Sequence, residues 1–218
     1  MNLIVVGDSF CASADAWPQS LANQLNLKLI CHGQGGQPWW NARGYMGTIS
    51  AEQIESTEYI VFVHTNADRI ATVNEEIGLI NHSALPTREI ETAVQLYFKY
   101  IHSTDFLHWA QESWFLEINR RWGHKKICHL HSFPWSLRNG EVLDGLNITT
   151  NLCSISLNEL GSKNMELFND SRSNHLSAYN NNVLADQLAN LLKKYKKQKV
   201  SLNTDLFELK TTKWFDWN

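Results

Sequence analysis

Four polar clusters along the sequence supply the residue types that acyl transfer needs. Ser9 follows a short apolar run, and a glycine-rich loop covers residues 33–36. Asn66 follows a second apolar run, and His175 precedes the last helical stretch. Acyl transfer requires a hydroxyl nucleophile, a base that takes its proton, and donors aimed at the oxyanion. Ser9 is therefore the candidate nucleophile and His175 the candidate base, with Asp170 near enough in sequence to orient the imidazole.

The remaining site candidates lie beside these clusters. The expected oxyanion donors are the main-chain N–H groups of Ser9 and of a glycine in 33–36, together with the side-chain amide of Asn66. Three further side chains are candidates for contact with a substrate: Trp39, Trp40 and His64. The two tryptophans come directly after the glycine loop, where they can form a wall of a cleft, although core packing explains them equally well.

Nine histidines in the chain raise the alternative of a metal site. Imidazole is a common metal ligand, and several histidines fall on or beside predicted strands. However, neither an H-x-x-x-H nor an H-E-x-x-H spacing occurs in the sequence. The sequence therefore predicts no metal, and acyl transfer by a serine needs no organic cofactor.

Alternating strands and helices must position the four clusters. Apolar runs predict strands at residues 3–6, 28–31, 59–63 and 126–131, with a weaker candidate at 152–157. Helical spacing predicts helices at residues 17–25, 40–53 and 183–192, and two more between 88 and 122 that are broken near 103–105. This alternation favours a three-layer α/β/α sandwich with a mostly parallel central sheet. In such sheets ligands gather at the carboxyl ends of the strands, where the first three clusters fall.

Composition limits the class of protein. A chain of 218 residues with 43% hydrophobic content fits one domain, predicted at residues 1–199, followed by an aromatic tail at 200–218. We expect the tail to pack on its own domain or on a neighbouring subunit of a homo-oligomer. A net charge of -3 gives no reason to expect nucleic acid as a partner.

Cellular location is predicted from what the sequence lacks. It has neither a secretory leader pattern nor a run of about 20 apolar residues, so we expect a cytoplasmic protein without a membrane span. The four cysteines stand far apart without a C-x-x-C pair, and we expect them to be reduced and mostly buried: Cys11, Cys31, Cys128 and Cys153.

Taken in order, the clusters resemble the sequence blocks of the SGNH (GDSL-like) hydrolase superfamily. Gly-Asp-Ser-Phe at residues 7–10 is similar to the first block. Gly33-x-x-Gly36 is similar to the second, and the resemblance implies Gly36 as the glycine that donates to the oxyanion. Thr-Asn-Ala-Asp at 65–68 is similar to the third, and Asn-His-Leu-Ser at 174–177 to the fifth. The resemblance implies a flavodoxin-like fold and a serine esterase or deacylase. The implied substrates are esters of small molecules or glycans, and no cofactor is implied.

One position departs from the superfamily pattern. The superfamily usually places an Asp three residues before the histidine, where this chain has Arg172, whereas Asp170 lies five residues before it. Three interpretations remain open. Asp170 completes a triad, a Ser-His dyad acts with a main-chain carbonyl orienting the ring, or the protein is a non-catalytic module that binds a glycan or a protein partner.

Overall fold

The computed structural model describes residues 1–12, 16–35, 38–67, 69, 88–134, 142–156 and 176–208. Within these residues six strands form one parallel sheet: β1 Asn2–Gly7, β2 Lys28–Gly33, β3 Thr57–His64, β4 Lys126–His131, β5 Leu146–Asn151 and β6 Gln198–Val200. Their spatial order is β2-β1-β3-β4-β5-β6. This order begins like that of doubly wound, flavodoxin-like sheets, whose chain direction switches beside β1.

Helices accompany the strands along the chain: α1 Trp17–Leu25, α2 Trp40–Met46, α3 Ala51–Glu55, α4 Arg88–Tyr100, α5 Thr104–Trp122 and α6 Ala178–Lys193. Together with the sheet they make the predicted α/β/α sandwich.

Alternation along the strands builds a core on each face of the sheet. In β1, Leu3 and Val5 point towards α1 and α6, while Ile4 and Val6 point towards α2 and α5. All four side chains are fully buried. Because both faces are covered, strands with apolar residues at every position are stable here. The sheet is thus a rigid platform whose carboxyl edge carries the polar clusters.

Most of the predicted elements are confirmed, but two are wrong. The helix predicted at 40–53 is divided into α2 and α3, because Ser50 and Gln53 form a capping box that starts a new helix. The strand predicted at 152–157 is instead a 3₁₀ turn at Leu152–Ile155, and the strand lies just before it. The side chain of Asn151 accepts a hydrogen bond from the main-chain N–H of Ser154 and so begins this turn.

The predicted domain boundary after residue 199 falls inside β6. Leu202 and Phe207 are buried in the same core as α1 and α6, so residues up to 208 continue the domain. The rest of the aromatic tail, residues 209–218, lies outside the described residues, and its packing stays a prediction. Among the helices that are described, none is long and apolar enough to cross a membrane.

Candidate active site

Ser9 opens a short 3₁₀ turn, Ser9–Cys11, directly after β1. Asp8 caps this turn, because its Oδ1 accepts a hydrogen bond from the main-chain N–H of Phe10 at 3.0 Å. The main-chain oxygen of Ser9 accepts a second hydrogen bond, from Ala12 at 3.2 Å. The sequence therefore holds the serine at the carboxyl edge of the sheet, as predicted.

Two glycines allow this turn to lie close to its neighbours. A Cβ atom on Gly7 would stand 2.4 Å from the main-chain oxygen of Val63 in β3. A Cβ on Gly33 would stand 2.4 Å from the main-chain carbon of Cys11. These separations are far shorter than normal contacts, so a side chain at either position would displace the turn or the strand. Gly33 is thus required for the close approach of β2 to the turn that carries Ser9.

The Asp8 carboxylate is held by a second group. Its side chain is 1% exposed, and its Oδ2 lies 3.5 Å from Nη1 of Arg69, whose side chain is 14% exposed. The Arg69 guanidinium also stacks over the ring of Phe133, 4.8 Å from its centroid. A buried carboxylate needs a partner to offset the loss of hydration. Arg69 supplies this charge and links the end of β3 to the serine turn.

Asn66 lies at the end of β3, which is the neighbour of β1 in the sheet. The structure therefore brings Asn66 and Ser9 to the same edge. Several buried polar atoms at or near this edge have no hydrogen-bond partner among the described residues: Asn66 Oδ1, Thr65 Oγ1, Trp39 Nε1 and Ser132 Oγ. Native folds rarely leave such atoms unpaired, and ordered water or a bound group is the usual partner.

Trp39 and Trp40 stand at the start of α2, both partly exposed. Their rings meet edge to face with centroids 5.3 Å apart. Trp39 also lines a small cavity beside Asp8 and Thr65, whereas Trp40 does not reach it. Trp39 thus lies next to the serine turn, and contact of either ring with a substrate stays a prediction.

His64 is more deeply placed than a substrate contact requires. It is 3% exposed, and its Nε2 is hydrogen-bonded to Nδ1 of His129 at 2.9 Å. His131 lies beside them, with its ring centroid 5.3 Å from that of His64 and its Nε2 2.9 Å from Oδ1 of Asn147. His64 lines the same small cavity as Trp39, and its contacts favour a role in supporting the residues around that cavity.

Burial sets the charge of these histidines. It lowers the pKa of His64 well below its usual value, and the neighbouring His129 and His131 lower it further. Burial, together with His131, lowers the pKa of His129 to about 3, although the main chain of Asp144 acts in the opposite direction. His64 and His129 are therefore neutral at neutral pH. Among the described residues, no group of three or more histidine, cysteine or acidic side chains is arranged to hold a metal ion.

The sequence analysis did not predict this histidine cluster as a unit. The sequence shows only that His129 and His131 alternate on one predicted strand and that His64 ends another. Only the register of β3 against β4, which pairs His64 with His131, brings them together.

Three predicted site residues lie outside the described residues: Gly36, Asp170 and His175. The residue after His175 is described, however, and it is tied to the serine turn. Asn181 donates through Nδ2 to the main-chain oxygen of Leu176 at 3.1 Å, and its Oδ1 accepts from the main-chain N–H of Trp17 at 3.0 Å. Trp17 in turn donates through Nε1 to the main-chain oxygen of Phe10 at 2.8 Å. Three buried hydrogen bonds thus join the residue after His175 to the residue after Ser9.

Comparison with known proteins gives similarity of fold alone. No protein-family model matches the chain, and no curated protein matches it. Among solved structures, the chain is similar to one described as a lipolytic protein of the G-D-S-L family from Desulfitobacterium hafniense DCB-2. The identity is 11%, the match covers 87% of this chain and 98% of the other, and the TM-score is 0.46.

Two other solved structures are similar at the same level. One is a lipase/acylhydrolase from Enterococcus faecalis, with an identity of 11%, 92% of this chain and 100% of that chain covered, and a TM-score of 0.49. The second is a carbohydrate esterase whose active site is described as having divergent catalytic and non-catalytic binding functions. Its identity is 12%, with 89% of this chain and 65% of that chain covered and a TM-score of 0.49.

Proposed function

We propose that the protein is a serine hydrolase that cleaves an ester or related acyl bond through an acyl-enzyme intermediate. The observation that carries the proposal is a buried network that joins the start of α6 to the turn that begins at Ser9. Asn181 and Trp17 connect Leu176 to Phe10 through three hydrogen bonds. These two residues follow the proposed base and the proposed nucleophile in sequence, so the network supports a site to which both belong.

In the proposed reaction, Ser9 Oγ attacks the acyl carbon while His175 takes the hydroxyl proton. The oxyanion lies against the main-chain N–H groups of Ser9 and Gly36 and the side-chain amide of Asn66. Collapse of the intermediate releases the alcohol, which receives its proton from His175. Water then attacks the acyl-enzyme with His175 again acting as base, and Ser9 is regenerated.

The described residues support two parts of this scheme. The Asp8 cap begins the turn that carries Ser9, and the Asp8 carboxylate lies 3.5 Å from the Arg69 guanidinium. This arrangement supports a nucleophile that is positioned before substrate arrives. Asn66 follows β3, the neighbour of β1, and so shares the edge of the sheet that carries Ser9.

The proposed substrate class rests on the same edge of the sheet. Trp39 lines the cavity beside Asp8 and its ring meets that of Trp40, and this aromatic surface suits a small-molecule ester or an acylated sugar. A screen of p-nitrophenyl esters of increasing chain length, run beside acetylated saccharides, measures the preferred acyl group. The proposal expects turnover of at least one of these by the wild type and none by Ser9→Ala. Equal turnover by the two proteins would overturn it.

Asp170 is the proposed partner of His175, with the Ser-His dyad as the alternative. Replacing it by Asn leaves the size of the side chain unchanged but removes the charge that selects the imidazole tautomer. A triad predicts that Asp170→Asn lowers kcat by orders of magnitude, up to about 10⁴-fold. A dyad predicts that kcat stays within a few-fold of the wild type.

A further inference from the structure

Two cysteines that are far apart in sequence meet beside the serine turn. Cys11 is the last residue of the turn, and Cys31 lies on the neighbouring strand β2. The Cys31 thiol donates to the main-chain oxygen of Cys11 at 3.2 Å. The Cys11 sulfur donates to the main-chain oxygen of Asp8 at 3.3 Å and lies 3.9 Å from that of His32. The Cys31 sulfur thus faces the main chain of Cys11, and the Cys11 sulfur faces the main chain of His32, the residue after Cys31.

Two further observations show that the turn Ser9–Cys11 packs closely on β2. A Cβ on Gly33 would collide with the main-chain carbon of Cys11, so the turn rests directly on the end of β2. Both cysteine side chains face the same core layer as α1 and α6. A disulfide needs closely spaced main-chain positions, and the contact of the Cys31 sulfur with the main-chain oxygen of Cys11 brings this sulfur next to the Cys11 main chain.

The two thiols also differ in the way that a redox pair requires. Cys31 is partly exposed, and its pKa is lowered by a hydrogen bond with the Cys11 side chain, which outweighs its burial. Cys11 is fully buried, and burial is the main cause that raises its pKa. A more acidic, accessible thiol beside a buried one is the pattern of an oxidised cysteine next to a resolving cysteine.

The other two cysteines lack these properties. Cys128 and Cys153 are 0% and 4% exposed. Burial raises the pKa of Cys153 to about 12 and that of Cys128 further still. They remain thiols at neutral pH and serve as internal controls.

We propose that Cys11 and Cys31 are a redox modification site that closes to a disulfide when a hydroperoxide oxidises the protein. The Cys31 thiolate attacks one peroxide oxygen, the O–O bond breaks, and the leaving hydroxide takes up a proton to form water. The Cys11 thiol then loses its proton and attacks the sulfur of the Cys31 sulfenic acid, an S–S bond forms, and a second water leaves. Two electrons pass from the two thiols to hydrogen peroxide, which is reduced to two waters.

The disulfide acts on the site through the turn. Its formation removes the Cys11 thiol proton that is donated to the main-chain oxygen of Asp8, and it draws the turn towards β2. Because Ser9 and Cys11 belong to the same turn of three residues, the nucleophile moves with the bond. This effect on activity rests on the proposed hydrolase function, whereas formation of the disulfide does not.

Mass spectrometry of the full chain after treatment with hydrogen peroxide tests the chemistry. We expect the intact mass to fall by two hydrogens, a crosslinked peptide that joins Cys11 to Cys31, and full reversal by dithiothreitol. The double variant Cys128→Ala/Cys153→Ala should behave identically. Cys11→Ser should leave Cys31 as a sulfenic acid that dimedone traps, and Cys31→Ser should give neither product. A disulfide elsewhere, or oxidation of Cys31 without a crosslink in the wild type, would overturn the proposal.

Ester hydrolysis measured on the same samples tests the consequence. We expect oxidised wild type to lose activity by about 10-fold or more, since small displacements of a nucleophile are costly. Activity should return on reduction, and Cys31→Ser should be insensitive to peroxide. Unchanged turnover in a fully crosslinked sample would disprove the coupling to Ser9. Absence of turnover in the reduced protein together with normal crosslinking would count against the hydrolase function alone.

Discussion

The side-chain oxygen of Asn181 accepts a hydrogen bond from the main-chain N–H of Trp17 at 3.0 Å, across 164 positions of sequence. The same amide donates to the main-chain oxygens of Leu176 and Ser177 at 3.1 and 3.0 Å. One buried side chain therefore fastens the entry to α6 against the start of α1. Since the candidate base precedes Leu176 and the serine turn precedes α1, Asn181 sets how these two parts of the chain meet.

Replacing Asn181 by Leu should lower both stability and turnover. The change leaves buried main-chain groups of Trp17 and Leu176 without partners, which costs about 2–4 kcal/mol of unfolding free energy. We expect kcat to fall by about 10-fold or more with little change in KM, because the base is displaced rather than the substrate site. Urea unfolding and ester kinetics measure the two effects. Asn182→Ala is the control, since the Asn182 side chain accepts an exposed hydrogen bond from Ser20 Oγ at 3.3 Å.

The cap at Asp8 can be compared with an equivalent cap elsewhere in the chain. Asn203 also begins a three-residue 3₁₀ turn, and its Oδ1 accepts from the main-chain N–H of Asp205 at 3.1 Å. Asp8→Ala and Asn203→Ala should each cost about 1 kcal/mol for the lost cap, with a further loss for Asp8 because Arg69 loses its counter-charge. Only Asp8→Ala should lower kcat. Similar kcat values for the two variants would show that the Asp8 cap does not position Ser9.

Gly33 is expected to be intolerant of a side chain. Gly33→Ala places a methyl group against the main chain of Cys11, so the serine turn must shift and both the melting temperature and kcat should fall. Gly44→Ala is the matched control, because a Cβ there meets nothing within 4 Å and helix propensity favours alanine by up to about 1 kcal/mol. Calorimetry and ester kinetics on the two variants check the expectation. A Gly33→Ala protein as active as Gly44→Ala would rule out the close approach as a requirement.

Acid should destabilise the fold through its buried histidines. The native pKa values of His64 and His129 lie below the unfolded value, so the unfolded chain binds more protons as the pH falls below about 6.5. The stability contributed by their neutral forms is complete above that pH and is lost as the pH falls towards about 3, where His129 titrates. Each histidine then lowers the unfolding free energy by up to about 1.4 kcal/mol per pH unit.

The variant His129→Asn isolates this effect. Asn retains a polar atom near the position of Nδ1 but does not titrate, so the slope of unfolding free energy against pH between 6 and 5 should decrease by up to about 1.4 kcal/mol per unit. His124→Asn is the matched surface variant, since the His124 side chain is 56% exposed. Denaturant titrations at several pH values give the slopes. Identical slopes for wild type and His129→Asn would contradict the assignment.

The sequence predicted those elements whose signals are local. Continuous apolar runs located β1 to β4, and the break before α5 agrees with the cap that Ser103 provides. In contrast, β5 reads Leu-Asn-Ile-Thr-Thr-Asn and β6 has three residues, so neither presents an apolar run of strand length. Their pairing depends on the sheet already formed beside them, which no local pattern reports.

In the candidate site, too, the sequence predicted only what local signals report. Ser9 and Asn66 follow recognisable strands, and their placement at one edge is a consequence of parallel topology. The histidine cluster and the pairing of Cys11 with Cys31 depend instead on register and on the approach of the turn to Gly33. These are tertiary relationships, and single-residue patterns along the chain carry no record of them.

The most direct test of the account is labelling with a fluorophosphonate, which modifies a serine only when a neighbouring base activates it. Wild type should carry the label on the peptide that contains Ser9, whereas Ser9→Ala should carry none and His175→Ala should react far more slowly. Folded wild type that stays unlabelled at Ser9 under conditions that label a known serine hydrolase would contradict the central claim.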